Sequence, residues 1–418
     1  MLERIRRLHP FQTAEAQRLA LLFGVVYFAQ GMWYLPNQTI TIVLKERGLS
    51  AGQVADFLLM STIPWLIKPI YGLVSDFVPL WGRRRKSYFL LTTSLAAMAG
   101  AALALLTEHP YWPMAILFTT MGLGLAFTDV LTDAVMVETG RPRGLTGAFQ
   151  SVQWAAITAS SILVGVLGGQ LAGARNLTAA FAIAACFPLV SLMMGLRFID
   201  ERPAPADREA IRQTWRAIRA AMGDRTVWLV AGFIFFYAFS PSFGPAFVYY
   251  QTDVLKFSQE FIGALDSVFY AAAMMGAIIY APLSRRVRLK QVIVAMIGAS
   301  VISTLAYLLY RDPLSAVLIQ ILFGAVAMLV QLAFLDLAAK ACPPRVEATF
   351  FALLMSVYNA GTQLSQNVGA RLYDVFGFTP LVLISAALTA LTWLLVPLVR
   401  IDRIEADARR VAVAAEAR

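Results

Sequence analysis

Apolar runs of about 20 residues or more recur from residue 19 to residue 400, each cut off by a short charged or Gly/Pro-marked break. Runs of that length match helices crossing a hydrocarbon core about 30 Å thick. Inside hydrocarbon, backbone N–H and C=O groups find partners only in helices or closed barrels. The alternating short strands of a barrel are missing from the sequence, so the runs read as helices. Twelve are expected, near 19–44, 52–75, 88–107, 112–139, 145–172, 176–198, 226–254, 259–284, 290–310, 313–340, 346–374 and 378–400. With 59% hydrophobic residues, 14% charged and a mean hydropathy of +0.67, the chain lies outside the range of soluble domains and reads as an all-α, multi-pass membrane protein.

The net charge of +10 would suit nucleic acid, but its placement argues otherwise. Of 35 Lys and Arg, the odd-numbered loops hold only Lys45, Arg47, Arg175, Lys256, Arg311 and Arg371. Clusters such as "GRRRK" (82–86), "RPR" (141–143) and "RRVRLK" (285–290) fall in even-numbered loops. That asymmetry predicts both termini in the cytoplasm, and a bacterial inner membrane is expected. The basic excess reads as topology and lipid-headgroup contact, with no nucleic-acid role. The basic N-terminal segment precedes an apolar run too long for a signal-peptide core, so an uncleaved first span is expected. Cys186 falls in span six and Cys342 in a loop, and the chain has two His, His9 and His109. No disulfide, metal site, cofactor or phosphate loop is expected, and catalysis has no candidate nucleophile motif.

A weak internal repeat links two halves. "VLK" at 43–45 returns at 254–256, an offset of 211, and "YGLVSD" (71–76) matches "YAPLSR" (280–285) at 209. Asp133 precedes Thr146 by 13 residues, as Asp336 precedes Thr349. The polar segment 200–225 is the natural boundary. The expected organisation is a six-helix bundle over 1–198, a cytoplasmic linker with an amphipathic helix over 199–225, a second six-helix bundle over 226–400 and a tail over 401–418. Two bundles in the same orientation, related by a pseudo-twofold axis, follow the parallel-repeat plan of major facilitator transporters. That plan implies a central cavity opened alternately to each side.

"YGLVSD" followed by "GRRRK" resembles the signature of that superfamily's loop after span two: Gly72, Asp76, Gly82, Arg83 and Arg84 fit, with "FVPLW" as a longer insert than usual. Within the superfamily, "PWLIKPIYGLVSD" (64–76), "FTDVLTDAVMVE" (127–138) and "CPPRVEATFFALLMSVYNAG" (342–361) resemble the folate/biopterin transporter family, and the likeness extends over most of the twelve spans. The resemblance implies secondary uptake of pterins or folates coupled to protons. The expected partners are a small-molecule solute, protons and membrane lipids, with the chain acting as a monomer. Rival readings keep the mechanism with another cargo, such as muropeptides or other organic anions, or make the chain a non-transporting assembly factor or sensor.

Acids at membrane depth are costly unless paired or wetted, which makes them functional candidates. If span four centres on Leu125, Asp129 lies about 6 Å and Asp133 about 12 Å toward the cytoplasm, on one helix face. Two carboxylates so close favour a shared proton, and the pair is a candidate proton carrier. The structural alternative pairs Asp133 and Glu138 with Arg83 to Arg85 or with Lys68, latching the cytoplasmic ends. Lys68, between Pro64 and Pro69, is the natural counter-charge for Asp129 or Asp133, with snorkelling as its alternative. Asp76 could reach the N-terminus of span eleven near Arg345 and Val346. Lys68, Asp76, Arg83, Arg84 and Glu138 are therefore gate candidates. Asp336 and Lys340 join them, although at i, i+4 they most simply pair locally, and Arg371 with Asp374 reads as an interfacial pair.

A pterin offers a flat face for stacking and an edge of donors and acceptors. Candidates for binding it are Gln30, Trp33, Tyr34 and Asn37 in span one, and Gln150, Gln153 and Trp154 in span five. Asp266 in span eight and Tyr358, Asn359 and Gln363 in span eleven complete the set. The plainer alternative is helix-to-helix hydrogen bonds worth about 0.6 kcal/mol each, with aromatics in interfacial belts. Pro241, Gly244 and Pro245 mark a break in span seven whose freed backbone groups need a neighbour or water.

Overall fold

The computed structural model describes residues 11–201, 212, 215, 216, 218–220, 222–342 and 347–407. Most of the expected linker, the end of the tail, His9, Arg345 and Val346 therefore lie outside the described residues.

The described chain is helical, with one isolated backbone bridge between Leu80 and Arg83. Its helices are α1 (Ala14–Gly31), α2 (Asn37–Glu46), α3 (Ala51–Leu66), α4 (Lys68–Phe77), α5 (Lys86–Leu105), α6 (Tyr111–Gly140), α7 (Thr146–Gly173) and α8 (Leu177–Phe198). After the linker come α9 (Arg225–Ala238), α10 (Pro245–Asp253), α11 (Gln259–Arg286), α12 (Leu289–Ala306), α13 (Pro313–Ala341), α14 (Glu347–Phe376), α15 (Phe378–Leu391) and α16 (Val396–Val399). Among the described residues, ten stretches are long and apolar enough to cross a membrane, and the two expected spans missing from that set are helical too.

Span seven is divided into α9 and α10 by the break at 239–244, where Gly244 adopts a left-handed φ of +47° and Pro245 opens the next helix. The freed groups find a neighbour: the Ser242 N–H donates to the Ser365 carbonyl (3.3 Å), and the Ser365 hydroxyl donates to the Ser240 carbonyl (2.8 Å). Span eleven is the continuous α14, whose Asn359, Gln363, Gln366, Asn367 and Arg371 lower its mean hydropathy.

Prolines shape span two. Pro69 has no N–H to donate and crowds the carbonyl four residues back, so α3 stops at Leu66 and α4 restarts at Lys68. That restart places Lys68 at a bend.

By packing, the described chain forms two compact units. Residues 11–43 and 60–201 make the first, whose core gathers Phe11, Phe23, Phe89 and Phe149. Residues 44–59 and those from 212 onward make the second, with Phe233, Phe334 and Ile297 in one cluster and Tyr307, Tyr310 and Phe378 in another. The boundary read from the sequence keeps 44–59 with the first bundle. In the structure the hairpin that ends α2 and starts α3 is held by α10 and α14.

The expected pairing of Arg371 with Asp374 is replaced by two contacts to this hairpin. Asp374 accepts from the N–H groups of Ala51 (3.1 Å) and Gly52 (2.8 Å), while Arg371 binds Asp56. The free N–H groups at the start of α3 compete successfully for the carboxylate.

Within hydrocarbon, helices associate through close packing of small residues. In the second unit, a Cβ on Gly324 would collide with the Phe269 carbonyl, and one on Gly276 with the Ala325 carbonyl, so α11 and α13 touch backbone to backbone. Gly324→Val is expected to destabilise by about 1–3 kcal/mol, because no rotamer change relieves overlap with a backbone atom. Chemical unfolding in detergent would measure it, and an unchanged midpoint would contradict the close contact.

Candidate functional site

Span four carries its two acids down one face of α6, and the first unit supplies each with separate partners. Asp129, 3% exposed, forms an ion pair with the Lys68 ammonium at 2.5 Å. Lys68 reaches it from the bend in span two and lies 4.8 Å from the centre of the Trp65 ring. Asp133 makes no ion pair among the described residues. Its Oδ1 accepts from the Tyr27 hydroxyl (2.5 Å) and from the Gln153 side-chain amide (3.2 Å). α1, α4, α6 and α7 thus bring two carboxylates, one ammonium and two neutral donors together in a single unit.

Of the proposed binding residues in the first unit, Gln153 belongs to this cluster and is buried. Gln30 and Tyr34 follow Tyr27 at i+3 and i+7 on α1 and the turn beyond it, hence on the same side. Gln30 is buried, and its Oε1 has no hydrogen-bond partner among the described residues; the same holds for the Asn37 Oδ1. Tyr34, Gln150 and Trp154 are exposed. Trp33 is fully enclosed, stacked on Phe118 at 5.0 Å and wedged against Trp65. It serves as packing, not as a cavity wall, because neither ring face is open.

At the end of the first unit that carries the even-numbered loops, the basic "GRRRK" turn contributes one arginine, and it is not Arg83 or Arg84. Arg85 is buried, donates to Ser75 (2.7 Å) and Glu138 (2.8 Å), and pairs with Asp76. Burial alone would lower its guanidinium, but Asp76 and Glu138 more than offset this and raise it above its usual value. The side chains of Arg83 and Arg84 make no ion pair among the described residues. The reason is local: Trp81 (φ 52°) and Gly82 (φ 75°) adopt left-handed conformations, and the chain reverses so that Leu80 and Arg83 pair by backbone. Arg85 then turns inward at the start of α5. Glu201, absent from the sequence reading, accepts from the N–H groups of Arg84, Arg85 and Lys86 at 2.8–2.9 Å and caps that helix. The expected approach of Asp76 to Arg345 and Val346 lies outside the described residues.

In the second unit Asp336 and Lys340 form the local pair, at 2.7 Å. Tyr358 packs beside the core that contains Phe334, while Asn359 and Gln363 are half-buried on α14. Asp266 is exposed inside span eight and has no hydrogen-bond or ion-pair partner among the described residues. Within electrostatic reach of it lie Tyr307 and Tyr310, which bond to Gln320 (3.1 Å) and Gln251 (2.7 Å).

Tyr27 is the member of this cluster that the sequence does not single out. Its signal was spacing: three residues before Gln30, it shares the face that meets span four. Among the described residues no cluster of three or more His, Cys, Asp or Glu is arranged to hold a metal ion.

The model of the BT1 family matches residues 29–404. A folate-biopterin transporter from Synechocystis is 31% identical over 376 residues, covering 85% of this chain and 74% of that protein. A probable folate-biopterin transporter 4 from Arabidopsis thaliana is 24% identical over 436 residues, covering 86% of this chain and 89% of that one. Among solved structures, the nucleoside transporter NupG superposes with a TM-score of 0.69 at 15% identity, covering 93% of this chain and 98% of that one. That likeness shows the fold, which is that of the major facilitator transporters.

Proposed function

The chain belongs to the BT1 family, and from that premise we propose that it is a proton-coupled secondary transporter of pterin- or folate-like solutes. The observation that carries the reading is the buried ion pair of the first unit, in a chain whose residues 29–404 match the family. A transporter needs ionisable groups at membrane depth that can change charge, and the Asp129, Lys68, Asp133, Tyr27 and Gln153 cluster supplies them. Two carboxylates against one ammonium leave a single negative charge, which one proton would cancel. Asp129 already has Lys68, so Asp133, held only by neutral donors, takes that proton.

Support for the cargo comes from the names of the relatives and from side chains suited to a flat polar ring. In the first unit Tyr34 and Trp154 offer exposed aromatic faces, and Gln30 and Asn37 carry acceptor oxygens with no partner among the described residues; in the second, Asp266 is an exposed carboxylate, and acceptors of this kind suit a ring edge rich in N–H groups. Gln150, Tyr358, Asn359 and Gln363 extend the set. Arg85 with Asp76 and Glu138 forms the gate-side clamp. The protein works as a monomer in the bacterial inner membrane with both termini in the cytoplasm, a placement supported by its basic even-numbered loops.

Purified protein in liposomes should accumulate labelled biopterin or folate when the outside is made more acidic, and a protonophore should stop it. If neither pteridine enters under any gradient while the protein remains folded, the cargo reading fails.

A further inference from the structure

From Arg212 to Arg225 the sequence carries four arginines against one acid, Asp224. That acid is occupied at the start of α9, where it accepts from the Thr226 N–H at 2.8 Å. Arg212, Arg216 and Arg219 are exposed and make no ion pair among the described residues. Arg212, Trp215, Arg216 and residues 218–220 are helical, and the Met222 N–H donates to the Ile218 carbonyl at 2.8 Å, a helical bond. At 3.6 residues per turn, Trp215, Ile218 and Met222 share one side of this segment, and Arg212, Arg216 and Arg219 share the side next to it. The protein covers the apolar side only in part. Ile218 packs against the buried pair Val227 and Phe350, at the starts of α9 and α14 in the second unit. Trp215 and Met222 remain 57% and 41% exposed.

Depth decides what covers those two side chains. Trp228, in the first turn of α9, donates its indole N–H to the Met222 carbonyl at 2.8 Å and is itself exposed. Span seven begins at that turn, so the bond holds Met222 beside the point where the chain enters hydrocarbon. Exposed tryptophans at span ends sit at headgroup level. There, apolar side chains meet the acyl boundary and guanidinium groups meet phosphates, the setting that an apolar side flanked by arginines fits. A soluble partner would have to reach the same side chains through the headgroups.

We propose that this part of the linker is a docking surface for anionic phospholipid: Trp215 and Met222 enter the leaflet on the side of the even-numbered loops, and Arg212, Arg216 and Arg219 take the headgroup phosphates. Through Ile218, bound lipid then braces the starts of α9 and α14. The proposal depends on neither the cargo nor the proton. Its test places a nitroxide on Met222→Cys in a Cys186→Ala/Cys342→Ala background, in nanodiscs of phosphatidylcholine alone or mixed equally with phosphatidylglycerol. Collisions with a neutral, water-soluble nickel chelate should be about three- to tenfold rarer in the anionic nanodiscs, because each arginine near an anionic surface adds attraction. High salt should remove most of that difference. Arg212→Gln/Arg216→Gln/Arg219→Gln should show the same collision rate in both lipids, while the corresponding triple lysine variant keeps the parent's response. Equal rates for the parent in the two lipids would overturn the docking surface. So would an unchanged lipid response in the triple glutamine variant, or loss of the response in the triple lysine variant, since a surface read by charge must tolerate that exchange.

Discussion

Lys68→Met should destabilise the protein by about 3–5 kcal/mol, the usual cost of removing one partner from a buried ion pair. Asp129 is 3% exposed and has Lys68 at 2.5 Å as its counter-charge, so the variant strands a carboxylate that neither water nor another cation can reach without rearrangement. Removing both charges should recover most of the loss. Lys68→Met/Asp129→Leu is expected near the wild-type midpoint in chemical unfolding, since well-packed apolar replacements of buried pairs are often neutral. The resulting double-mutant cycle isolates the pair. Additive effects would mean that Lys68 finds its stability elsewhere, for instance over the Trp65 ring. The double variant should be stable yet unable to transport, which separates the cluster's role in the fold from its role in moving charge.

The residues show where a sequence can be read and where it cannot. Span positions follow from runs of apolar side chains, a local property, and the helices fall where those runs are. That Lys68 could meet an acid of span four was also legible, because opposite charges at similar membrane depth have few other partners, but the sequence left Asp129, Asp133 and snorkelling open, and the bend at Lys68 decides for Asp129. Arg85 was not separable from Arg83 and Arg84: three adjacent arginines differ only through the left-handed turn at Trp81 and Gly82, which reverses the chain before the third. Arg371 and Asp374 misled for a different reason. Three residues apart on a helix, they suggest a local pair, whereas the free N–H groups of α3 and the carboxylate of Asp56, more than 300 residues away in sequence, outcompete it. Trp33 erred through depth alone, since depth says nothing about whether a ring face is covered. The seat of hairpin 44–59 on the second unit is likewise long-range, and no span-by-span reading reaches it.

Asp133→Asn should uncouple transport from the proton while leaving solute exchange close to normal. The Tyr27 hydroxyl and the Gln153 amide both donate to the same oxygen, Asp133 Oδ1. An asparagine carbonyl placed there keeps both bonds, so the fold and the solute path should survive. What disappears is the only carboxylate of the cluster without a cation beside it, and with it the group that alternates between charged and neutral. With one proton per solute, a pH difference of one unit supports about tenfold accumulation, equivalent to about 1.4 kcal/mol. Asp133→Asn should bring this to no accumulation, while counterflow of labelled against unlabelled solute persists. Asp129→Asn tests the same idea from the other side. It removes the partner of Lys68 and leaves an uncompensated ammonium, so it should impair exchange and accumulation together. Reversal of that order, with Asp129→Asn uncoupled and Asp133→Asn dead in both assays, would move the proton site to Asp129 and make Lys68 the group that gives it up. In that case Tyr27 and Gln153 would be holding a structural carboxylate, and Tyr27→Phe should then lower stability without changing the gradient dependence of uptake.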